Sequence, residues 1–321
     1  TYADITEPTN GHVVYKDTTK PAKAWLYVLN VSDEDNRQVI GNGQTLRVEL
    51  NVDEKLDDSS LPVLTLKNGQ TATFRYREEE NADRYIYVAD IKIDNTSGKL
   101  THNEIIEFTV SNIKDLAGNK LEYLTNADAT KTNSYDQVTY DGEAPEIVSL
   151  LINSANNIDY HYANENHNIG IYLTVNEKLE GNPTFKLNGQ ECATNYQTEE
   201  VSSGYKYAVL CKLPEDAEQG EVEFEITNVT DIVGNTITEP ITNEAIITDT
   251  DKTYVVFDSV DPDIEMQTHG EGQSYKNWNT VTVEIIEENL HEVYYKWGNT
   301  SSYTPVDLDE IKKTEDGKYQ L

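Results

Sequence analysis

An internal repeat constrains this chain more than any other feature. Leu50-Asn-Val-Asp-Glu-Lys-Leu56 returns as Leu173-Thr-Val-Asn-Glu-Lys-Leu179, and Lys67-Asn-Gly-Gln70 as Leu187-Asn-Gly-Gln190. Tyr85-Ile-Tyr-Val88 returns as Tyr205-Lys-Tyr-Ala208, and Phe108-Thr-Val-Ser-Asn-Ile-Lys-Asp-Leu-Ala-Gly-Asn119 as Phe224-Glu-Ile-Thr-Asn-Val-Thr-Asp-Ile-Val-Gly-Asn235. The landmarks keep one order, and their offset drifts only by loop-sized amounts around 120 residues. A fixed long period means that one structural unit has been laid down twice in tandem. A single large core is therefore not expected, which agrees with the soft limit on core size for a chain of 321 residues.

Within each copy the apolar residues alternate, as in Thr45-Leu-Arg-Val-Glu-Leu-Asn-Val52, Tyr85-Ile-Tyr-Val-Ala-Asp-Ile-Lys-Ile93 and, further on, Val281-Thr-Val-Glu-Ile285. Period two with Thr, Tyr, Val and Ile predicts half-buried strands, punctuated by Gly, Asn, Asp and Pro clusters. The fold class expected is all-β: tandem antiparallel sandwiches in an extended array. Low hydrophobicity, 37%, and a formal charge of −33 also fit disorder. The alternating strands with 21 Tyr argue for folded modules instead. That charge disfavours nucleic acid, whose phosphates must be met by Lys and Arg, and anionic membrane surfaces. No apolar run reaches the length of a spanning helix, and no signal-peptide pattern occupies the first 30 residues.

Boundaries carry their own mark. Asp17, Asp141 and Asp258 each follow a β-like run and each stands four residues before a proline, Pro21, Pro145 and Pro262. Proline suits the start of an edge strand after a linker. The division expected is 1–16 as the last strand or linker of an upstream module, 17–140 as the first complete copy and 141–257 as the second. Residues 258–321 are expected to be a partial third module without its Asp-x-x-Gly-Asn landmark, and the chain a monomeric segment of a longer array.

The linker Asp before Pro, the Glu-x-Leu step after a central strand and the late Asp-x-x-Gly-Asn together resemble the bacterial immunoglobulin-like (Big-type) domains of secreted and surface proteins. Tyr275-Lys-Asn-Trp-Asn-Thr-Val-Thr-Val283 and Tyr294-Tyr-Lys-Trp297 resemble a second variety found beside them. The resemblance implies an extracellular or cell-surface setting and a non-enzymatic stalk or adhesin segment, with a protein or glycan ligand on host, matrix or cell wall. An accessory region of a large secreted carbohydrate-active or cell-wall enzyme, or an S-layer component, remains the alternative.

In a Greek-key sandwich the entry to the first strand, the loop after the second and the turn between the last two gather at one end. The repeated carboxylates fall on those places: Asp17, Glu54 and Asp115 in the first copy, Asp141, Glu177 and Asp231 in the second. Converging carboxylate oxygens suit Ca²⁺, which takes six to eight oxygen ligands. The alternative stays open that each carboxylate caps its own turn and faces water. The Asp and Gly of Asp-x-x-Gly-Asn also fit a type I hairpin turn in which Asp accepts backbone N–H groups and Gly takes positive φ.

Cys192 and Cys211 are directly opposed on a ladder if a hairpin turns at Val201-Ser202. Their counterparts Ala72 and Ile91 are apolar, which points the pair inward. A disulfide is expected, two buried thiols being the alternative. His161 and His167 share a strand face if that stretch is extended and could then hold a metal, but a solvated loop pair is the expectation. Tyr85, Tyr87, Tyr205 and Tyr207 are read as packing residues, the alternative being an outer cross-strand stripe, and an exposed Tyr/Trp stripe could bind carbohydrate or another protein; Trp278, Tyr294 and Trp297 are the aromatic cluster to watch. Asn30, Asn95, Asn228 and Asn299 stand in glycosylation sequons that a bacterial source makes incidental. No Gly-x-Ser-x-Gly, phosphate-binding Gly-rich loop or His-Glu-x-x-His occurs, and no enzyme activity is expected.

Overall fold

The computed structural model describes residues 16–35, 38–77, 84–132, 135–192, 196–248, 250–269, 280–296, 298, 301–314 and 318–320. These residues form strands, turns and single-turn 3₁₀ segments, with no α-helix among them. The first sandwich pairs one sheet in the spatial order Lys23–Asn30, Thr45–Val52, Tyr85–Lys92, Arg75–Arg77 with another in the order Leu124–Thr125, Phe108–Ser111, Val63–Leu66, Thr71–Thr73. The second sandwich repeats the plan with Ile147–Ser154, Ile169–Val175, Gly204–Cys211, Gln197–Val201 against Gln190–Glu191, Thr184–Leu187, Phe224–Thr227, Ile241–Thr242. In strand letters both read A-B-E-D over C′-C-F-G, the immunoglobulin-like arrangement. A third four-stranded sheet orders Asp263–His269, Thr280–Ile286, Tyr319–Gln320, Lys312–Lys313, the A-B-E-D half of the same plan.

Alternation decides which face is inside. Along Thr45–Val52, Leu46, Val48, Leu50 and Val52 are all 0% exposed. Their counterparts Ile169, Ile171, Leu173 and Val175 are equally sealed. Each set belongs to its own buried cluster, one spanning Leu26 to Tyr140 and the other Leu150 to Phe257. The two tyrosines of the repeat are core residues with a polar task. Tyr87 Oη accepts the Leu56 N–H at 2.8 Å, and Tyr207 Oη accepts the Leu179 N–H at the same distance. Each bond ties the loop after the second strand to the E strand. Tyr207→Phe leaves a buried N–H unpartnered, at a cost of about 1–3 kcal/mol. Differential scanning calorimetry should show the second module's transition lowered and the first unchanged.

The disulfide forms, but its geometry differs from the hairpin expected. Val201 pairs with Gly204 and Gln197 with Ala208, so the turn is Ser202-Ser203, one residue beyond the position expected. Cys192 belongs to the other sheet: its N–H donates to Phe185 O at 2.9 Å, continuing the Thr184–Leu187 pairing with Gln190–Glu191. The chain changes sheet between Glu191 and Gln197, so no ladder runs from Cys192 to Cys211. The bond, with Cα atoms 5.3 Å apart, joins the two sheets through the core. Both cysteines are buried, as Ile91 is at the corresponding place in the first module.

Residues 1–15, Trp278, Trp297 and Asn299 lie outside the described residues. Tyr294 is exposed, its hydroxyl donating to Glu292 at 2.9 Å. Asn30 is fully buried and bonded to Val39 O and Gln44 Oε1, which closes that sequon to glycosylation in the folded state.

Candidate functional site

The three repeated carboxylates of each module are brought together. One ligand atom from each of Asp17, Glu54 and Asp115 lies within 4.8 Å of the others, and the same holds for Asp141, Glu177 and Asp231.

The Asp-x-x-Gly-Asn turn positions the innermost acid. Gly118 and Gly234 hold φ of +89° and +98°, a region that a side chain disfavours. Asp115 Oδ1 accepts the Asn119 N–H at 2.8 Å and Oδ2 the Asn119 amide at 2.7 Å. Asp231 Oδ1 accepts from the Val233 and Asn235 N–H groups at 2.8 and 2.9 Å, and Oδ2 from the Asn235 amide at 2.8 Å. The acids therefore do cap their turns, yet a carboxylate has about four acceptor sites and Asp231 has filled three. The remaining direction is available to a cation.

Glu54 and Glu177 sit just beyond the ends of the Thr45–Val52 and Ile169–Val175 strands. Bridges from Leu56 to Asp115 and from Leu179 to Asp231 hold these loops against the turn. The entry segment is tied by the residue before each Glu: Asp53 Oδ1 accepts the Ala22 N–H at 2.7 Å, and Asn176 Oδ1 the Glu146 N–H at 2.9 Å. Asp17 and Asp141 thereby reach the same end.

Crowding of like charge shows in the acidities. Burial, then the neighbouring Asp141 and Asp231, push the Glu177 carboxyl up to about 7. Burial and Asp231 raise Asp141 in spite of its hydrogen bonds. Burial followed by Asp115, Asp17 and Asp53 raises Glu54. Asp17, held by the Thr19 hydroxyl and N–H, is lowered. Such crowding is relieved by a proton, which neutralises one carboxylate, or by a nearby cation, which offsets the charge of all three.

The second site also touches the first sandwich. His102 Nδ1 lies 3.0 Å from Asp141 Oδ1, the Asp141 N–H donates to Ile40 O at 2.9 Å, and Asn235 reaches Asp141 Oδ1 at 3.4 Å. Gly41 abuts the turn: a Cβ there would sit 2.8 Å from Val233 O and 3.0 Å from Val233 Cβ. Glycine at 41 is needed for this close approach of backbones, not for an unusual φ. Gly41→Val should push the sandwiches apart at Asp141, broadening the distance distribution between spin labels on the two modules while each keeps its own fold. The repeat did not reveal His102 or Gly41, because contacts across a joint have no counterpart within a module.

At Asp258 the arrangement changes. The Asn289 amide donates to Asp258 Oδ2 at 2.6 Å, and Glu287 accepts the Asn289 N–H. No third carboxylate triad occurs among the described residues. A cleft of about 420 Å³ opens beside it, lined in part by Asp159, His167, Asp258 and His291. His161 and His167 take separate tasks: His161 Nε2 meets Asp251 O at 2.7 Å with its ring stacked on Tyr254, whereas His167 Nδ1 accepts the Asn164 N–H at 3.2 Å.

No family model matches the chain, and no curated protein matches it. Among solved structures it is similar to the three-domain ectodomain of mouse nectin-like molecule 4, at 11% identity over 88% of this chain and 85% of that one, TM-score 0.30. It is likewise similar to the I-band fragment I67–I69 of titin, at 10% identity over 95% and 97%, TM-score 0.35. Likeness at that level is too loose to add weight, and the immunoglobulin-like assignment stands on the strand order itself.

Proposed function

We propose that this chain is a non-enzymatic stalk segment of a bacterial surface protein, with module boundaries at Asp17, Asp141 and Asp258 and with Ca²⁺ bracing the ends of its modules. The observation that carries the reading is the second triad. Asp141, Glu177 and Asp231 gather from three loops at the place where His102 of the preceding sandwich also arrives. An all-oxygen set of carboxylates suits a hard cation such as Ca²⁺, with water and backbone oxygens completing the shell. A cation there ties the entry segment, the loop after the second strand and the Asp-x-x-Gly-Asn turn into one body, which limits bending at the linker. The resemblance to Big-type domains supports the surface setting, and the cross-sheet disulfide fits an oxidising compartment.

Isothermal titration of chelator-treated protein tests the cation. Two Ca²⁺ per chain are expected, falling to one in Glu177→Gln and to none when Glu54→Gln is added. Absence of binding heat together with an unchanged melting temperature would sink the proposal.

A further inference from the structure

The outer face of the first module's A-B-E-D sheet gathers residue types that are scarce elsewhere in the chain. Five arginines occur in 321 residues, Arg37, Arg47, Arg75, Arg77 and Arg84. Four of them meet here. Arg47 grips Asp90 through two bonds of 2.7 and 3.0 Å, and Arg75 reaches the same carboxylate at 3.1 Å. Arg77 binds Glu49 at 2.6 Å, and the Arg84 guanidinium lies 5.1 Å over the Trp25 ring. Trp25 and Tyr27, both partly exposed, stand side by side with centroids 6.0 Å apart and planes 25° apart. Tyr135 continues the row, 5.7 Å from Tyr27.

Arginine stems laid over an apolar sheet face explain why Ile86 and Val88, on the outer side, are only 4% and 1% exposed. They do not explain Asn51. It pairs in register with Trp25 on one side and Ile86 on the other, is 0% exposed, and neither of its amide atoms has a partner among the described residues. A buried polar group left unmatched calls for a ligand or another specific cause. The corresponding residue of the second module is Thr174, so the amide is not demanded by the fold.

We propose that this face binds an acidic polysaccharide. Sugar rings stack on Trp25 and Tyr27, carboxylate or sulfate groups meet the Arg75 and Arg47 guanidiniums, and the Asn51 amide is engaged when Arg84 leaves the Trp25 ring. Charge favours an anionic partner: among the described residues of this face, Arg47, Arg75, Arg77 and Arg84 stand beside two paired carboxylates, Asp90 and Glu49, within a chain of formal charge −33. Glu78, Glu79, Glu80 and Asp83 follow Arg77 in the sequence, outside the described residues, so the anionic groups are assigned to the Arg75 and Arg47 end. Arg75 is the most accessible of the paired arginines, its side chain 60% exposed. Aromatic rings with arginine are the composition of binding hot spots. Strand addition by a peptide is not available at the neighbouring edge, where the Val28 N–H already donates to Tyr135 O. Strand spacing sets Arg75 and Tyr27 roughly 14 Å apart, so the ligand is an oligosaccharide and not a single sugar.

The face is separate from the carboxylate triads and needs no cation, so failure here leaves the calcium reading standing. The full chain is titrated, in chelator, with alginate and heparin oligosaccharides, with dextran as neutral control and poly-L-glutamate as acidic-peptide control. Saturable binding that weakens with salt is expected for alginate, heparin or both, and tells carboxylate from sulfate recognition. Trp25→Ala and Arg75→Ala should each weaken it at least tenfold, with the Arg75→Ala protein keeping the circular-dichroism spectrum and cooperative melting of the parent. No binding to either polysaccharide, equal binding of dextran or poly-L-glutamate, or Arg75→Ala behaving like the parent would overturn the proposal.

Discussion

Saturating Ca²⁺ should raise the melting temperature of the second module by roughly 10 °C, and chelation should return it. A ligand that binds only the folded state at a hundred times its dissociation constant adds about 2.7 kcal/mol. In a domain of this size each kcal/mol moves the midpoint by roughly 4 °C. The discriminating variant is Glu177→Gln. Unlike Asp231, Glu177 takes no part in the hydrogen bonds of the turn, so replacing it does not dismantle the loop. Its carboxyl is pushed up to about 7 by burial and by Asp141 and Asp231, so the neutral amide should melt higher than the parent in chelator. The same variant should lose the response to Ca²⁺. Calorimetry in matched buffers checks both. Were the acids only turn caps facing water, the parent would melt alike with and without Ca²⁺.

Removing the disulfide with Cys192→Ala and Cys211→Ala should lower the second module's transition by roughly 12 °C and leave the first in place. The bridge closes a loop of sequence separation 19, for which the chain-entropy estimate is about 3 kcal/mol. A reductant acting on the parent should reproduce the shift slowly, since Cys192 and Cys211 are 5% and 6% exposed. The repeat supplies a control that separates the cross-link from packing. Ala72 and Ile91 occupy the corresponding positions in the first module, so Cys192→Ala with Cys211→Ile fills the space without the bond. That variant should recover part of the loss and remain insensitive to reductant. Full recovery would assign the bridge a packing role only.

The two outcomes concern different parts of the repeat, and they differ in how visible they were beforehand. The carboxylate positions were legible because each recurs beside a landmark that fixes its loop: Glu54 and Glu177 after a central strand, Asp115 and Asp231 before a glycine. Pairing of the two cysteines was legible as well, but not its geometry. Counting residues back from an expected turn assumes that both cysteines belong to one ladder, and the chain instead changes sheet between Glu191 and Gln197. Alternation cannot reveal that crossing, because a strand that leaves one sheet for the facing one still points apolar residues inward. Asn51 illustrates the opposite failure. In Thr45–Val52 it occupies an outward position and looks solvated, yet between Trp25 and Ile86 it is fully buried.

Sequence alone determined the period, the strand alternation and hence the all-β tandem architecture, because these follow from local periodicity and from loops that repeat. Tertiary structure alone decided what crosses from one element to another. The approach of Gly41 to Val233, the contact of His102 with Asp141, the sheet-to-sheet path of the disulfide and the gathering of arginines with Trp25 and Tyr27 on one sheet face all join residues far apart in the chain. Such contacts depend on how whole sheets and modules are set against each other, and a repeat that describes one module at a time carries no record of them.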